Sequence, residues 1–336
     1  MASALSLLQQ YSQSALARLP PPAQELLLHP LTQKAAGALL ALGLVRSVNN
    51  RLTQWTMNNW TSAGRWTPSR EIVLVSGGCS GIGKQVVEDL AKIGVQVVIL
   101  DINEPNFPLP ANVRFYHASV TSSESIAAAA ATIRKEVGDP TVLINNAGVA
   151  FDQTILDEPE EKIRLTFEVN TVSHFLMVRE FLPAMIRANH GHVITVASMA
   201  SFVALGEMAD YCGSKASALA FHESLRQELR YWYNAPKVRT SIIHPMWVRT
   251  PMIKMLTDHE SKFGQPIMTV QKVSDAIVHQ IVSQNSGQVV LPASKSVARL
   301  VRAMPTWMQE TVRSIEAGKL YRMRLAQKAE EEQGKH

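Results

Sequence analysis

The sequence predicts an α/β fold: a doubly wound parallel sheet of about seven strands with helices on both faces. Three observations predict it. Apolar runs of strand length recur between residues 71 and 292 and alternate with stretches of helical periodicity. Those runs are continuous, as strands buried on both faces require. The residues with chemical capacity fall where the runs end, which is where an open parallel sheet binds its ligands.

Taken in order, residues 1–69 read as a helical extension. Their first charged residue is Arg18, so no secretory signal is evident. Residues 35–45, AAGALLALGLV, form an uncharged run between Lys34 and Arg46. As a helix it rises about 16 Å, roughly half a bilayer's hydrocarbon thickness, so it should lie in an interface or pack on the domain, not span. Trp55 and Trp60 follow, and Trp favours the headgroup level. Asn59-Trp60-Thr61 is a glycosylation sequon. Residues 70–294 form the sheet domain. Strands are expected at 71–76, 95–101, 112–119, 140–148, 191–198, 237–245 and 287–292. Helices are expected at 81–94, 122–138, through a long region ending at Ala188, at 210–232 and at 269–284, with an irregular stretch at 251–268. Residues 295–329 read as helices broken near Pro305, and 330–336 as a disordered tail.

Charge is unevenly placed. Residues 1–70 hold six Lys/Arg and one acid, residues 295–336 nine Lys/Arg and five Glu, and the middle carries a net −4. The basic ends suit an anionic membrane surface, whereas a nucleic-acid domain would carry its basic stripe on the fold itself, so no nucleic acid is expected. Two cysteines, Cys79 and Cys212, fit a reducing compartment. His190 and His192 have no third ligand near them in sequence, and no metal is expected.

The loop SGGCSGIGK, residues 76–84, joins the first strand to the first helix. Its glycines, Gly77, Gly81 and Gly83, allow a backbone to approach a diphosphate at a helix N-terminus. Asp101 ends the second strand, where a carboxylate binds ribose hydroxyls and repels a 2′-phosphate, favouring NAD(H). Lys84 is the counter-argument for NADP(H). Asn145–Gly148 follows the fourth strand, Ser198 ends the fifth and Pro245 ends the sixth. Tyr211 and Lys215 stand one helical turn apart, and an ammonium beside a phenol lowers its pKa.

Together, Gly77-Gly78-Cys79-Ser80-Gly81-Ile82-Gly83, Asn145-Asn146-Ala147-Gly148, Asn170, Ser198, and Tyr211 with Lys215 resemble the motifs of the short-chain dehydrogenase/reductase family. The segments DIN, NTVSHF, YCGSKASALAFHESL and HPMWVRTPM are similar to its membrane- and lipid-droplet-associated branch of retinol and 17-beta-hydroxysteroid dehydrogenases. The resemblance implies a Rossmann-type sheet and hydride transfer between NAD(P) and an alcohol or ketone. Tyr211 would be the acid/base, Lys215 would hold the nicotinamide ribose, Ser198 would bind the reacting oxygen and Asn170 would hold a relay water. Cofactor contacts would come from Gly77, Ser80, Gly81, Ile82, Gly83, Asp101, Ser119, Asn146, Ala147, Gly148, Tyr211, Lys215, Pro245, Val248 and Thr250. It also implies a homodimer through the helices of Asn170 and Tyr211, and a cytosol-facing endoplasmic reticulum or lipid-droplet membrane, with a soluble cytoplasmic protein as the alternative.

Two residues depart from the family pattern. Ser119 stands where an Asp usually touches adenine, and Met246 where a Gly usually follows Pro245, beside the nicotinamide. Val203, Met208, Met246 and Trp247, with the apolar side chains of 251–256, predict a lipophilic substrate. The readings carried forward are an NAD-dependent dehydrogenase of a steroid, retinoid or long-chain alcohol; an NADPH-dependent ketone reductase; and a lipid-droplet surface protein with little turnover.

Overall fold

The computed structural model describes residues 17–62 and 64–333. The chain divides into two compact units, Met1–Thr56 and Met57–His336. The described part of the first is α1 (Pro21–Leu28) and most of α2 (Pro30–Met57), neither of which buries a residue. Leu39, Leu40, Leu42, Leu44 and Val45 are all exposed. No helix among the described residues is long and apolar enough to cross a membrane.

The second unit is the sheet domain. Its strands are β1 (Ile72–Ser76), β2 (Gln96–Asp101), β3 (Val113–His117), β4 (Val142–Asn145), β5 (Gly191–Val196), β6 (Val238–Pro245) and β7 (Gly287–Leu291). They pair in the order β3-β2-β1-β4-β5-β6-β7, every pair parallel. Strand order reverses between β1 and β4, which opens a crevice at their carboxyl ends.

The continuous apolar runs follow from burial on both faces. Leu74 of β1 packs with Ile126, Phe181 and Leu225, on α4 (Ser123–Glu136), α6 (Ser173–Ala188) and α7 (Ala209–Tyr231). Its neighbours Val73 and Val75 point the other way, to Val86 and Leu90 on α3 (Gly81–Lys92) and Ile277 on α10 (Val270–Ser283). The long helical region before Ala188 is interrupted: α5 (Glu160–Phe167) passes through a π-turn at Glu168–Val172 before α6 begins. The irregular stretch holds a 3-10 turn and two short helices, α8 (Lys254–Asp258) and α9 (Glu260–Phe263).

The amino edge of the sheet places the first domain boundary before residue 57, not at 70. Arg239 of β6, 4% exposed, donates to the carbonyls of Asn58 (2.8 Å), Thr61 (3.3 Å) and Ser62 (2.8 Å). A buried guanidinium needs such acceptors, and the segment after α2 supplies them. Asn59 is likewise buried, its amide donating to the Pro236 carbonyl, so the acceptor side chain of the sequon is not at the surface. After β7, a 3-10 segment (Ala293–Ala303) leads to α11 (Thr306–Gln333). This helix occupies 330–333, where a tail was expected; 334–336 lie outside the described residues.

Candidate active site

The crevice is a cavity of about 760 Å³. One end is the loop between β1 and α3. Gly77 has a φ of +67°, and a Cβ there would lie 2.9 Å from the Ala147 backbone. A Cβ on Gly83 would lie 2.1 Å from the Gly77 carbonyl oxygen, so only glycine lets α3 start against the loop. Gly83 does not line the cavity. Its observed role is packing α3 against the loop.

Asn146 ties this loop to β4. Both amide hydrogens go to main-chain carbonyls, of Ser76 and Gly77, each at 3.0 Å. Asp101 is 8% exposed. One carboxylate oxygen accepts from the Cys79 N–H and the other from the Asn103 N–H, both at 3.0 Å, leaving further acceptor capacity on each. Lys84 is engaged elsewhere, 4.5 Å from the Phe107 ring and 4.0 Å from Glu88. The Ser119 hydroxyl pairs with the Thr121 hydroxyl at 2.8 Å. Gly77, Ser80, Gly81, Ile82, Asp101, Ser119, Asn146, Ala147, Gly148, Pro245, Val248 and Thr250 all line the cavity.

Ser198, Tyr211 and Lys215 line it too. Lys215 is 4% exposed, and its ammonium donates to the Val196 carbonyl at 3.0 Å and lies 5.6 Å from the Tyr211 ring. Burial pulls its pKa down to about 8. Burial pushes the Tyr211 phenol up to about 12, although the hydrogen bond with Ser198 acts in the opposite direction. The lowered phenol expected from the Tyr–Lys spacing is therefore corrected: desolvation exceeds the help Ser198 gives, and Lys215 aims at a carbonyl. Ser198 is held from behind by His244 of β6, whose Nδ1 donates to the Ser198 carbonyl at 3.0 Å. Burial pulls His244 down to about 4, so it is neutral at pH 7.

Asn170 sits in the π-turn with no exposed surface. Its amide donates to the Val149 carbonyl (2.8 Å) and the Ser214 hydroxyl (3.1 Å), and its Oδ1 accepts from the Val149 N–H (2.9 Å). These bonds clamp the chain beside Gly148.

Val203, Leu205, Met208, Met246, Trp247, Met252, Ile253 and Leu256 form an apolar wall, and Met246 also packs against the sheet core. The sequence reading missed the rest of that wall: Val297, Ala298 and Val301 of the 3-10 segment, Met304 just after it, and Val312, Glu316 and Leu320 of α11. Their stripe in sequence is the same for a core-packing or an interfacial helix. His190 and His192 diverge, His190 to Glu71 and His192 to Ser241 at 2.9 Å.

A family model for short chain dehydrogenases matches residues 71–261, which carry the loop, Asp101, Asn170, Ser198, Tyr211 and Lys215. The chain belongs to the short-chain dehydrogenase family. Similar proteins include dehydrogenase RED2 of Cochliobolus heterostrophus, 42% identical over 207 residues (61% of this chain, 78% of that one). Human estradiol 17-beta-dehydrogenase 11 is 32% identical over 244 residues (70% of this chain, 79% of that one). In fold alone, 3-ketoacyl-(acyl-carrier-protein) reductase from Brucella melitensis, solved with NADH, superposes with a TM-score of 0.61 at 19% identity, over 67% of this chain and 98% of that one. As a short-chain dehydrogenase, the protein is an NAD(P)-binding oxidoreductase acting on CH–OH groups of a small-molecule substrate.

Proposed function

We propose that this dehydrogenase interconverts a lipophilic alcohol (a steroid, retinoid or long-chain alcohol) and its carbonyl compound with NAD(H), using Tyr211 as proton donor and acceptor. The observation carrying this reading is one cavity in which Tyr211, Ser198 and Lys215 share space with an apolar wall. The residues present fit a dinucleotide: Gly77, where a side chain would meet Ala147, leaves bare backbone against the cavity, and Asp101 retains acceptor capacity for ribose hydroxyls.

Gly77, Ser80, Gly81, Ile82 and the N-terminus of α3 hold the diphosphate. Asp101 takes the ribose hydroxyls and disfavours a 2′-phosphate, with Lys84 turned to Phe107 and Glu88. Ser119, Asn146, Ala147 and Gly148 flank the adenosine half; Pro245, Val248 and Thr250 flank the nicotinamide half. When bound, the nicotinamide supplies or accepts the hydride. Ser198 donates a hydrogen bond to the substrate oxygen, stabilising the charge that develops there. Tyr211 passes a proton to or from that oxygen. Lys215, protonated below about 8, stabilises the phenolate and holds the ribose. Asn170 is a positioning residue, fixing Gly148–Val149 and Ser214 around Lys215.

The exposed leucines of α2, flanked by Lys34, Arg46 and Arg51 with no acidic residue in the helix, support attachment to an anionic membrane or lipid-droplet surface. Exposed Leu165, Phe167 and Phe175 around the π-turn support pairing with a second copy.

Hydroxysteroids, retinols and long-chain alcohols are assayed with NAD and with NADP, and anionic vesicles are sedimented from the same mixtures. We expect turnover with NAD at least roughly tenfold above NADP, and protein in the pellet. Activity confined to ketones with NADPH makes the protein a reductase. Pelleting without turnover on any substrate makes it a lipid-surface protein.

A further inference from the structure

Part of the cavity wall comes from α11, which lies beyond residue 261, where the family match ends. The helix is fixed there. Leu320 and Met323 are buried against Leu256 and Phe263, in a cluster distinct from the two core clusters of the sheet. Arg324 donates to Glu207 at 2.7 Å and to the Asp152 carbonyl at 3.1 Å.

Between Val312 and Leu320, which face the cavity, α11 places Glu316 in the same lining. Its carboxylate is oriented by two donors. Gln265 Nε2 reaches Oε2 at 2.9 Å, and Lys319 Nζ reaches Oε1 at 2.9 Å. Gln265, 8% exposed, is itself oriented by Trp247, whose Nε1 donates to its Oε1 at 3.2 Å. Trp247 lines the cavity as well. The lysine offsets the charge, yet each carboxylate oxygen accepts further hydrogen bonds. A wholly apolar ligand pressed against this group would dehydrate it with nothing in return; a hydroxyl would replace the lost water.

We infer that Glu316, oriented by Gln265 and Trp247, is a second polar subsite that accepts a hydrogen bond from a hydroxyl at the end of an elongated apolar substrate, remote from the carbon that exchanges hydride. This rests on the proposed function and narrows its substrate class to lipophilic alcohols bearing a second hydroxyl.

The test uses two matched secondary alcohols of the same carbon skeleton, one with and one without a hydroxyl at the far end. With NAD, the full chain should favour the dihydroxy compound in kcat/KM by about tenfold, the effect of a hydrogen bond to a charged acceptor. Glu316→Ala should bring that ratio close to one. Gln265→Leu, which removes the orienting donor and keeps the carboxylate, should lower the ratio and serves if Glu316→Ala does not fold. A wild-type ratio near one with both alcohols turned over overturns the subsite and leaves the proposed function standing. So does a parallel fall for both alcohols in the variants, the mark of a mere tether. If NADH binds but neither alcohol is turned over, the proposed function fails and the subsite with it.

Discussion

At the amino edge of the sheet, Glu71 meets the His190 ring at 3.1 Å and the Thr141 hydroxyl at 2.5 Å, and Arg239 spends its donors on main-chain carbonyls and Thr61. At the carboxyl edge, Lys215 is as deeply set and Tyr211 is half-buried, but their pKa values are pushed to about 8 and about 12, and neither is paired with an opposite charge. Both edges bury ionisable groups, but only the amino edge sets one of them, Glu71, against a group that can carry the opposite charge, His190; Lys215 and Tyr211 have a carbonyl and a hydroxyl. Paired groups at strand ends hold the chain together; groups displaced from their ordinary protonation beside an open cavity are where chemistry is expected.

The largest effect belongs to the carboxyl edge. In Gly83→Val the new side chain meets the Gly77 carbonyl, and relief requires the loop to move. Overpacking of this kind costs about 1–3 kcal/mol or more. NADH titrations followed by nicotinamide fluorescence should show binding lost or weakened at least roughly tenfold. Unchanged binding would mean that the loop is not the cradle.

The smallest effect belongs to the amino edge. Burial pushes Glu71 up, but the His190 and Thr141 hydrogen bonds outweigh it and hold it below 4.5. Glu71 in turn raises His190 above 6.5. The His190 contribution is complete below 6.5 and is lost as pH rises through its raised value; the Glu71 contribution is present above 4.5 and is lost as pH falls. The pair is therefore worth most between 4.5 and 6.5. His190 is 48% exposed, so screening keeps the effect small. His190→Gln should lower Tm by about 1–2 °C near pH 6 and by less at pH 8, with turnover unaltered. A gap that stays constant with pH would contradict the pairing.

The sheet and the gathering of its strand-end residues around one cavity were legible because they depend on local pattern. Two-faced burial writes itself as continuous apolar runs, and strand ends place Ser198, Asn146 and Pro245 together without knowledge of any side-chain contact. What was not legible depends on contacts between distant residues. Asn170 reads as a helical residue; that it breaks the helix and clamps Val149 follows from their juxtaposition in space. Residues 58–62 read as part of the N-terminal extension until Arg239 needs their carbonyls. Val312, Glu316 and Leu320 form part of a stripe whose direction depends on where α11 docks, and that is set by Leu256, Phe263, Glu207 and Asp152. The phenol's pKa was misjudged for a related reason: spacing along a helix gives proximity, not dehydration.

Tyr211→Phe removes one oxygen from the cavity and leaves its walls in place. Compared with the full wild-type chain on the best alcohol of the panel, with NAD at saturation, the variant should bind NADH with an unchanged fluorescence signal. Its turnover should fall by about 10²–10⁴-fold, the usual share of a positioned proton donor. Turnover within a few-fold of wild type, with binding intact, would contradict the assignment of the proton transfer to Tyr211.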